Sequence, residues 1–260
     1  MLDQKKIIEI AAQAGKVILP YYEGNKKLGT QTKGDDSPVT CADLAANDFI
    51  MKELNNSFPN IKIVSEENSE ISNLNAAQEN EYFMIDPLDG TSGFIKNSDE
   101  FTVNIAYIKN SRPFFGAIYL PATDIMYWGS TESKQAYKIA DYCGNQNITK
   151  IKSQNYNQDW KIICTKREPE KSAILSDLKE RNITIGELIS IGSSYKFCLI
   201  AEGFAHLYPR RASINAWDVA AGDAIVHAAN GSMTDLDSNK LVYNFKQNFK
   251  LPFFEVKVTT

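Results

Sequence analysis

The stretch Tyr82-Phe-Met-Ile-Asp86-Pro-Leu-Asp89-Gly-Thr91 is an apolar run that ends in two carboxylates, two turn formers and a hydroxyl. Pro87 fixes the backbone just past Asp86, so Asp86 and Asp89 can converge while the Leu88 carbonyl also faces inward. An all-oxygen cluster of this kind suits hard cations such as magnesium, and it repels itself unless cations neutralise it. Taken alone, Asp89-Gly90 also fits a plain turn. Glu66 and Glu67 follow the strand-like Ile61-Lys-Ile-Val-Ser65 and add a third carboxylate edge, although adjacent glutamates also suit a solvated loop. Asp218 precedes Val219-Ala220-Ala221 and Asp43 follows Val39-Thr40, positions where a helix N-cap would serve equally well.

Other chemistries have weaker claims. Cys41, Cys143, Cys164 and Cys198 form no Cys-x-x-Cys pair and read as reduced thiols. His206 and His227 are too separated for a sequence-evident metal pair, and neither sits beside a nucleophile signature, so both read as structural or surface residues. A net charge of -4 and a pI near 5.4 argue against polymeric nucleic acid as a partner, since that binding rests on phosphate neutralisation. The opening Met1-Leu2-Asp3-Gln4-Lys5-Lys6 leads into a segment broken by Glu9, Gln13 and Lys16, neither a signal peptide nor a bilayer-length run, which makes the cytoplasm the default.

The elements that must position these groups follow from periodicity. With 43% hydrophobic residues in 260, the chain can bury a sizeable core. Ile7, Ile8, Ala11, Ala14, Val17, Ile18 and Tyr21 recur at helical spacing, and after a Gly-, Lys- and Asp-rich loop from Glu23 to Pro38 a second helix begins at Thr40 or Asp43. It is expected to turn Leu44, Phe49, Ile50 and Leu54 inward and to end at Pro59. Strand-like runs at Ile61-Val64, Tyr82-Ile85, Phe101-Ile108, Phe114-Tyr119 and Ile125-Gly129 predict a mainly antiparallel sheet behind the helices, completing an N-terminal layer over 1–150. Residues 151–260 alternate instead: a strand at Lys161-Cys164, a helix at Pro169-Arg181, a strand at Gly186-Ile191, then helices at Ser193-Ala201 and from Trp217 to Gly231. This alternation reads as α/β, with the site between the two layers.

Two segments together, Asp86-Pro-Leu-Asp-Gly-Thr91 with Phe94 and Trp217-Asp-Val-Ala-Ala-Gly222, resemble the signature motifs of the inositol monophosphatase superfamily. Ser65-Glu-Glu67, Phe94-Ile-Lys96, Glu100 to Ala106, Gly192 to Gly203 and Leu207-Tyr-Pro-Arg210 are similar to its branch of 3′(2′),5′-bisphosphate nucleotidases. The resemblance implies a layered αβαβα sandwich and lithium-sensitive, magnesium-dependent hydrolysis of small phosphate monoesters. It also implies roles. Glu66, Asp86 and the Leu88 carbonyl would hold one magnesium ion, Asp86, Asp89 and Asp218 a second, and Glu67 would assist a third. Asp43 would orient the Thr91 hydroxyl to help deprotonate the attacking water. The N–H groups of Gly90 and Thr91 would grip the phosphate, while Ser193, Ser194, Lys196 and Arg210 would border a nucleotide. Metal ligands Glu66, Leu88, Asp89 and Asp218 would also touch the substrate. Paired cations suit the chemistry, because they acidify water, polarise the phosphoryl group and stabilise the leaving alkoxide. The expected substrate is a nucleoside bisphosphate, adenosine 3′,5′-bisphosphate giving AMP. One departure is Ser92-Gly93 where the branch carries Lys-Glu, which removes a cation beside the phosphate. Competing readings are an inositol monophosphatase, a sugar bisphosphatase of the fructose 1,6-bisphosphate type, and a silent metal- or nucleotide-binding regulator. Monomer and homodimer both remain open.

Overall fold

The computed structural model of the protein describes residues 2–32, 38–154, 160–165 and 170–259. Part of the loop between the first two helices, and Pro169 at the expected start of the third long helix, lie outside the described residues. Chain order begins with helix α1 (Gln4–Tyr22), the antiparallel pair β1 (Gln31–Thr32) and β2 (Pro38–Val39), and helix α2 (Cys41–Ser57). Strand β3 (Lys62–Ser65), helix α3 (Glu70–Ala76), strand β4 (Glu81–Asp89) and the single turn α4 (Thr91–Phe94) come next. Strands β5 (Thr102–Lys109), β6 (Arg112–Leu120), β7 (Ile125–Ser130), β8 (Gln135–Ala140) and β9 (Asn147–Ile151) complete a seven-stranded sheet in plain sequence order, antiparallel except for the parallel pair β3 and β4.

Beyond Ile151 the chain builds a second sheet. Strand β10 (Trp160–Cys164), helix α5 (Glu170–Glu180), strand β11 (Ile185–Ser190), helix α6 (Tyr195–Ala201) and strand β12 (Leu207–Arg210) lead to the short β13 (Ile214–Asn215). Helix α7 (Ala220–Ala228), β14 (Ser232–Asp235), β15 (Lys250–Leu251) and β16 (Phe254–Lys257) finish it. The five strands lie in the order β11-β10-β12-β16-β14, and β13 pairs separately with β15.

Alternation along the strands sorts these elements into layers. Phe83, Ile85, Val103, Ile105, Phe115 and Ala117 join the core under α1 and α2, whereas Tyr82, Met84, Ala106, Ile108 and Ile118 face α6 and α7. The second sheet repeats the rule: Ile163 and Tyr208 face α6 and α7, and Ile162, Cys164 and Leu207 pack on Ile174 and Leu178 of α5. A period of two in sheets clad on both faces produces this division, and the result is an αβαβα sandwich. The small residues of α7 have a packing reason. A Cβ on Gly116 of β6 would stand 2.2 Å from the Ala221 carbonyl, so the helix rests on bare backbone there.

Three expectations need correction or extension. Leu44 is 44% exposed and does not face the core. Strands β8 and β9, helix α3 and the C-terminal strands β13 to β16 were not anticipated. Asp218 does not cap α7: it ends a short 3-10 turn (Ala216–Asp218), and the cap position falls to Val219 with no side-chain bond. Among the described residues, no helix is long and apolar enough to cross a membrane.

Candidate active site

A cavity of about 790 Å³ opens between the two sheets, with Glu66, Asp86, Leu88, Asp89, Gly90, Thr91, Ser193, Ser194, Lys196, Arg210 and Asp218 in its lining. Its floor comes from the ends of three elements. Glu66 follows β3, Asp86 and Asp89 lie on the last turnless stretch of β4, and Asp218 enters from the turn before α7. The pairing of β4 with β5 slips between Asp86 and Asp89, a bulge at Pro87 and Leu88 that breaks the strand's regular alternation. Gly90 follows with φ +95°, a left-handed conformation that would strain any residue with a Cβ, and so reverses the chain into α4.

Ligand atoms of Glu66, Asp86 and Asp218 all lie within 4.8 Å of one another. Burial pushes the carboxyls of Asp86 and Asp218 well above their ordinary value; Glu66 adds to the effect on Asp86, and Asp89 to that on Asp218. Asp89 is raised too, by burial, against the pull of Lys196. Asp86 is 1% exposed, and its Oδ2 has no hydrogen-bond partner. A buried carboxylate oxygen left unsatisfied beside two more carboxylates is a cost with one ready remedy, a divalent cation with oxygen preference. The residues present therefore fit magnesium.

Asp43 shows how one side chain serves two tasks. Its Oδ2 accepts the Thr40 N–H at 2.8 Å and the Thr40 hydroxyl at 2.6 Å, closing a capping box at the start of α2. Its Oδ1 accepts the Thr91 hydroxyl at 3.0 Å. Burial raises the Asp43 carboxyl, and the hydrogen bonds from Thr40 and Thr91 pull it back. Thr91 Oγ1 also reaches the Leu88 carbonyl at 3.1 Å, and a single hydroxyl hydrogen serves one acceptor at a time. Whenever it goes to Asp43, the Leu88 oxygen is released.

The far wall is basic. Lys196 lies over the Tyr208 ring, 5.6 Å from its centroid, and burial brings its ammonium down to about 8 although Asp89 opposes the shift. Arg210 is held rigidly: Nη1 donates to Glu170 at 3.1 Å, Nη2 to the Ser213 carbonyl at 3.0 Å and Nε to the Ala212 carbonyl at 3.1 Å. Neighbouring Arg211 is tied instead to Asp177 and Glu255. Lys96 and Lys250 also line the cavity; the sequence pattern does not assign either one to the site. Glu67 is absent from the lining, and its N–H donates to Ser65 Oγ at 3.3 Å. Both histidines lie elsewhere. His206 Nδ1 accepts the Lys161 N–H at 3.0 Å, and His227 contacts Asp223 at 2.6 Å.

Fold and site together define a layered sandwich with an acidic floor, suited to a cation, at the junction of its sheets. Residues 3–250 match the model of the inositol monophosphatase family, and the chain belongs to that family, whose members depend on metal. The 3′(2′),5′-bisphosphate nucleotidase CysQ of Shigella flexneri is 37% identical over 260 residues, covering 99% of this chain and 100% of that protein. Its counterpart from Escherichia coli K12 is 38% identical over the same shares. The crystal structure of CysQ from Bacteroides thetaiotaomicron superposes with a TM-score of 0.84 at 32% identity, covering 99% of this chain and 97% of that one. An inositol monophosphatase structure from Thermotoga maritima, 20% identical, covers 96% and 89% with a TM-score of 0.77 and shares the fold.

Proposed function

We propose that the protein is a magnesium-dependent 3′(2′),5′-bisphosphate nucleotidase that hydrolyses adenosine 3′,5′-bisphosphate to AMP and phosphate. The observation that carries this reading is the orphaned, buried Asp86 Oδ2 among converging carboxylates, next to a hydroxyl already hydrogen-bonded to Asp43. The full-length similarity to the CysQ nucleotidases supports the substrate.

Glu66, Asp86, the Leu88 carbonyl, Asp89 and Asp218 are the residues that would hold magnesium. Bound there, magnesium supplies charge neutralisation for the phosphoryl oxygens and makes water more acidic. The chain's own residues do the rest. Thr91 donates its hydrogen to Asp43 Oδ1, which turns an oxygen lone pair toward the cavity to take a proton from the attacking water. The proton removed from water is thus passed toward Asp43 and on to solvent, while the P–O bond to the 3′ oxygen breaks and that oxygen takes a proton from a solvent water, so that one water is consumed as the 3′-hydroxyl and phosphate are released. Gly90 and Thr91 line the cavity, and their N–H groups would grip the oxygens of the transferring phosphoryl group. Lys196 and Arg210, which line the same cavity, would recognise the 5′-phosphate, and Ser193 and Ser194 would border the nucleotide.

The test is phosphate release from adenosine 3′,5′-bisphosphate, inositol 1-phosphate and fructose 1,6-bisphosphate, side by side, with magnesium, calcium or lithium. The nucleotide should give the highest kcat/KM with magnesium, and lithium should inhibit. Equal or better efficiency with inositol 1-phosphate would overturn the substrate assignment, and no release from any ester would leave the silent regulator.

A further inference from the structure

Three buried polar side chains stand beside the acidic floor, and none of their hydrogen bonds to one another has a part in the chemical step just described. Thr102 and Asn104 belong to β5 of the seven-stranded sheet and are 0% and 1% exposed; Ser194, 1% exposed, precedes α6 in the other half of the chain. Buried polar groups are costly unless they satisfy one another, so a closed network of them marks a geometrical requirement.

The network has a direction. Ser194 Oγ donates to Asn104 Oδ1 at 2.7 Å, and Thr102 Oγ1 lies 2.7 Å from the same Ser194 oxygen. Since Ser194 has one hydroxyl hydrogen and spends it on Asn104, Thr102 must be the donor in the second bond. The backbone N–H of Ser194 then donates to Asp89 Oδ2. Asn104 Nδ2 has no hydrogen-bond partner of its own, yet the amide lies close enough to Asp89 to favour its charged form. Reversing that amide would turn its oxygen toward the carboxylate, so the observed orientation is the favourable one. The same segment is tied a second time, two residues earlier, where the Gly192 N–H donates to Glu100 Oε2 at 2.7 Å. Between these anchors Ser193 takes a left-handed φ of 47°.

We propose that Asn104 and Ser194 are positioning residues for Asp89: through the Ser194 hydroxyl they hold the Ser194 N–H against one carboxylate oxygen, leaving the other for a cation. The proposal rests on Asp89 being a metal ligand. It makes the segment that borders the nucleotide also the segment that orients a metal ligand, so the two ends of the cavity are mechanically joined.

Binding of Mn2+ alone, read from the paramagnetic resonance signal of the free ion, tests this without turnover. Wild type is compared with Asp89→Asn, Asn104→Ala, Ser194→Ala and the double variant, each checked for folding by its metal-free thermal transition. Asp89→Asn should lose one class of bound ion. Asn104→Ala and Ser194→Ala should each weaken that class by about 10-fold, the cost of an outer-shell partner. The double variant should be no weaker than the weaker single one, because both changes cut the same path. Ser194→Ala removes one oxygen only and keeps the test available if Asn104→Ala does not fold. If Asp89→Asn binds Mn2+ as wild type does, the metal reading itself fails. If Asp89→Asn loses the ion while both single variants retain wild-type affinity, or their losses add, the positioning proposal is overturned and the metal reading stands.

Discussion

The floor of the cavity and its far wall are built on different terms. On the floor, Asp86 of the long strand β4 is almost wholly buried with one oxygen conspicuously left without a partner, Glu66, Asp89 and Asp218 are half-buried around it, and the buried Asp43 of α2 holds Thr91 of the lining through one oxygen. On the wall, Lys96 and Lys250 are exposed, and Lys196 and Arg210 partly so, and all four come from short pieces far apart in the chain. Burial strengthens the electrostatic interactions around Asp86 and makes them intolerant of change, whereas solvent screening makes the exposed Lys96 and Lys250 of the wall forgiving. A site organised in this way separates what the reaction requires from what selects the ester.

The contrast predicts a graded series of effects. Asp89→Asn should leave a folded protein and cut turnover by more than about 100-fold, beyond the usual cost of an outer-shell partner; near wild-type phosphate release would break the distinction at once. Thr91→Ala should lower kcat by about 100-fold with little change in KM if, as proposed, the hydroxyl acts on the attacking water and not on the bound ester. A change confined to KM would contradict that. On the wall, Lys196→Ala should reduce kcat/KM for adenosine 3′,5′-bisphosphate by about 10-fold or more, the scale of a charge-assisted contact, and spare adenosine 3′-monophosphate. Equal losses for both nucleotides would show that Lys196 does not read the 5′-phosphate. Exposed Lys250 is worth less: Lys250→Ala should cost under about 5-fold, in line with the roughly 1 kcal/mol ceiling of solvated ion pairs.

The smallest effect lies in stability. Asp86, Asp89 and Asp218 have folded-state pKa values above the ordinary 3.8, so without metal the folded chain holds protons that the unfolded chain releases. Their contribution to stability therefore falls as pH rises through those values, and a bound cation replaces the protons. The rise in melting temperature on adding magnesium should grow, by a few degrees, as pH is raised above the ordinary carboxylate range. A magnesium shift that stays constant over that rise in pH would show that these carboxyls do not exchange protons for the ion.

Much of the floor was legible in advance because Asp86-Pro-Leu-Asp-Gly-Thr91 compresses two carboxylates, a carbonyl and a hydroxyl into one bulged strand end. Asp43 and Asp218 were ambiguous, each equally suited to a helix cap. The structure separates them, since Asp43 caps α2 and holds Thr91 with different oxygens, while Asp218 caps nothing. Lys250 was not legible: β15 is two residues long and owes its position to pairing with Asn215, which no local pattern announces. Strand β9 escaped for a related reason. Four of its five residues are exposed, so an edge strand of this kind shows no alternation to detect. Asn104 and Ser194 show a third limit, because a polar residue inside an apolar strand, or one just ahead of a helix, gives no hint of which distant group it will meet.

The double duty of Asp43 also bears on how a ligand-bound form of the protein is best obtained. Replacing Asp43 would remove the proposed proton acceptor and also loosen the first turn of α2, a loss of about 1 kcal/mol for a helix cap. Thr91 carries no such second burden at the start of α2, so it is the half of the pair that can be taken away cleanly. A Thr91→Ala protein should keep its scaffold and its metal ligands, hold an intact substrate long enough for structure determination, and so display the nucleotide before it is cut.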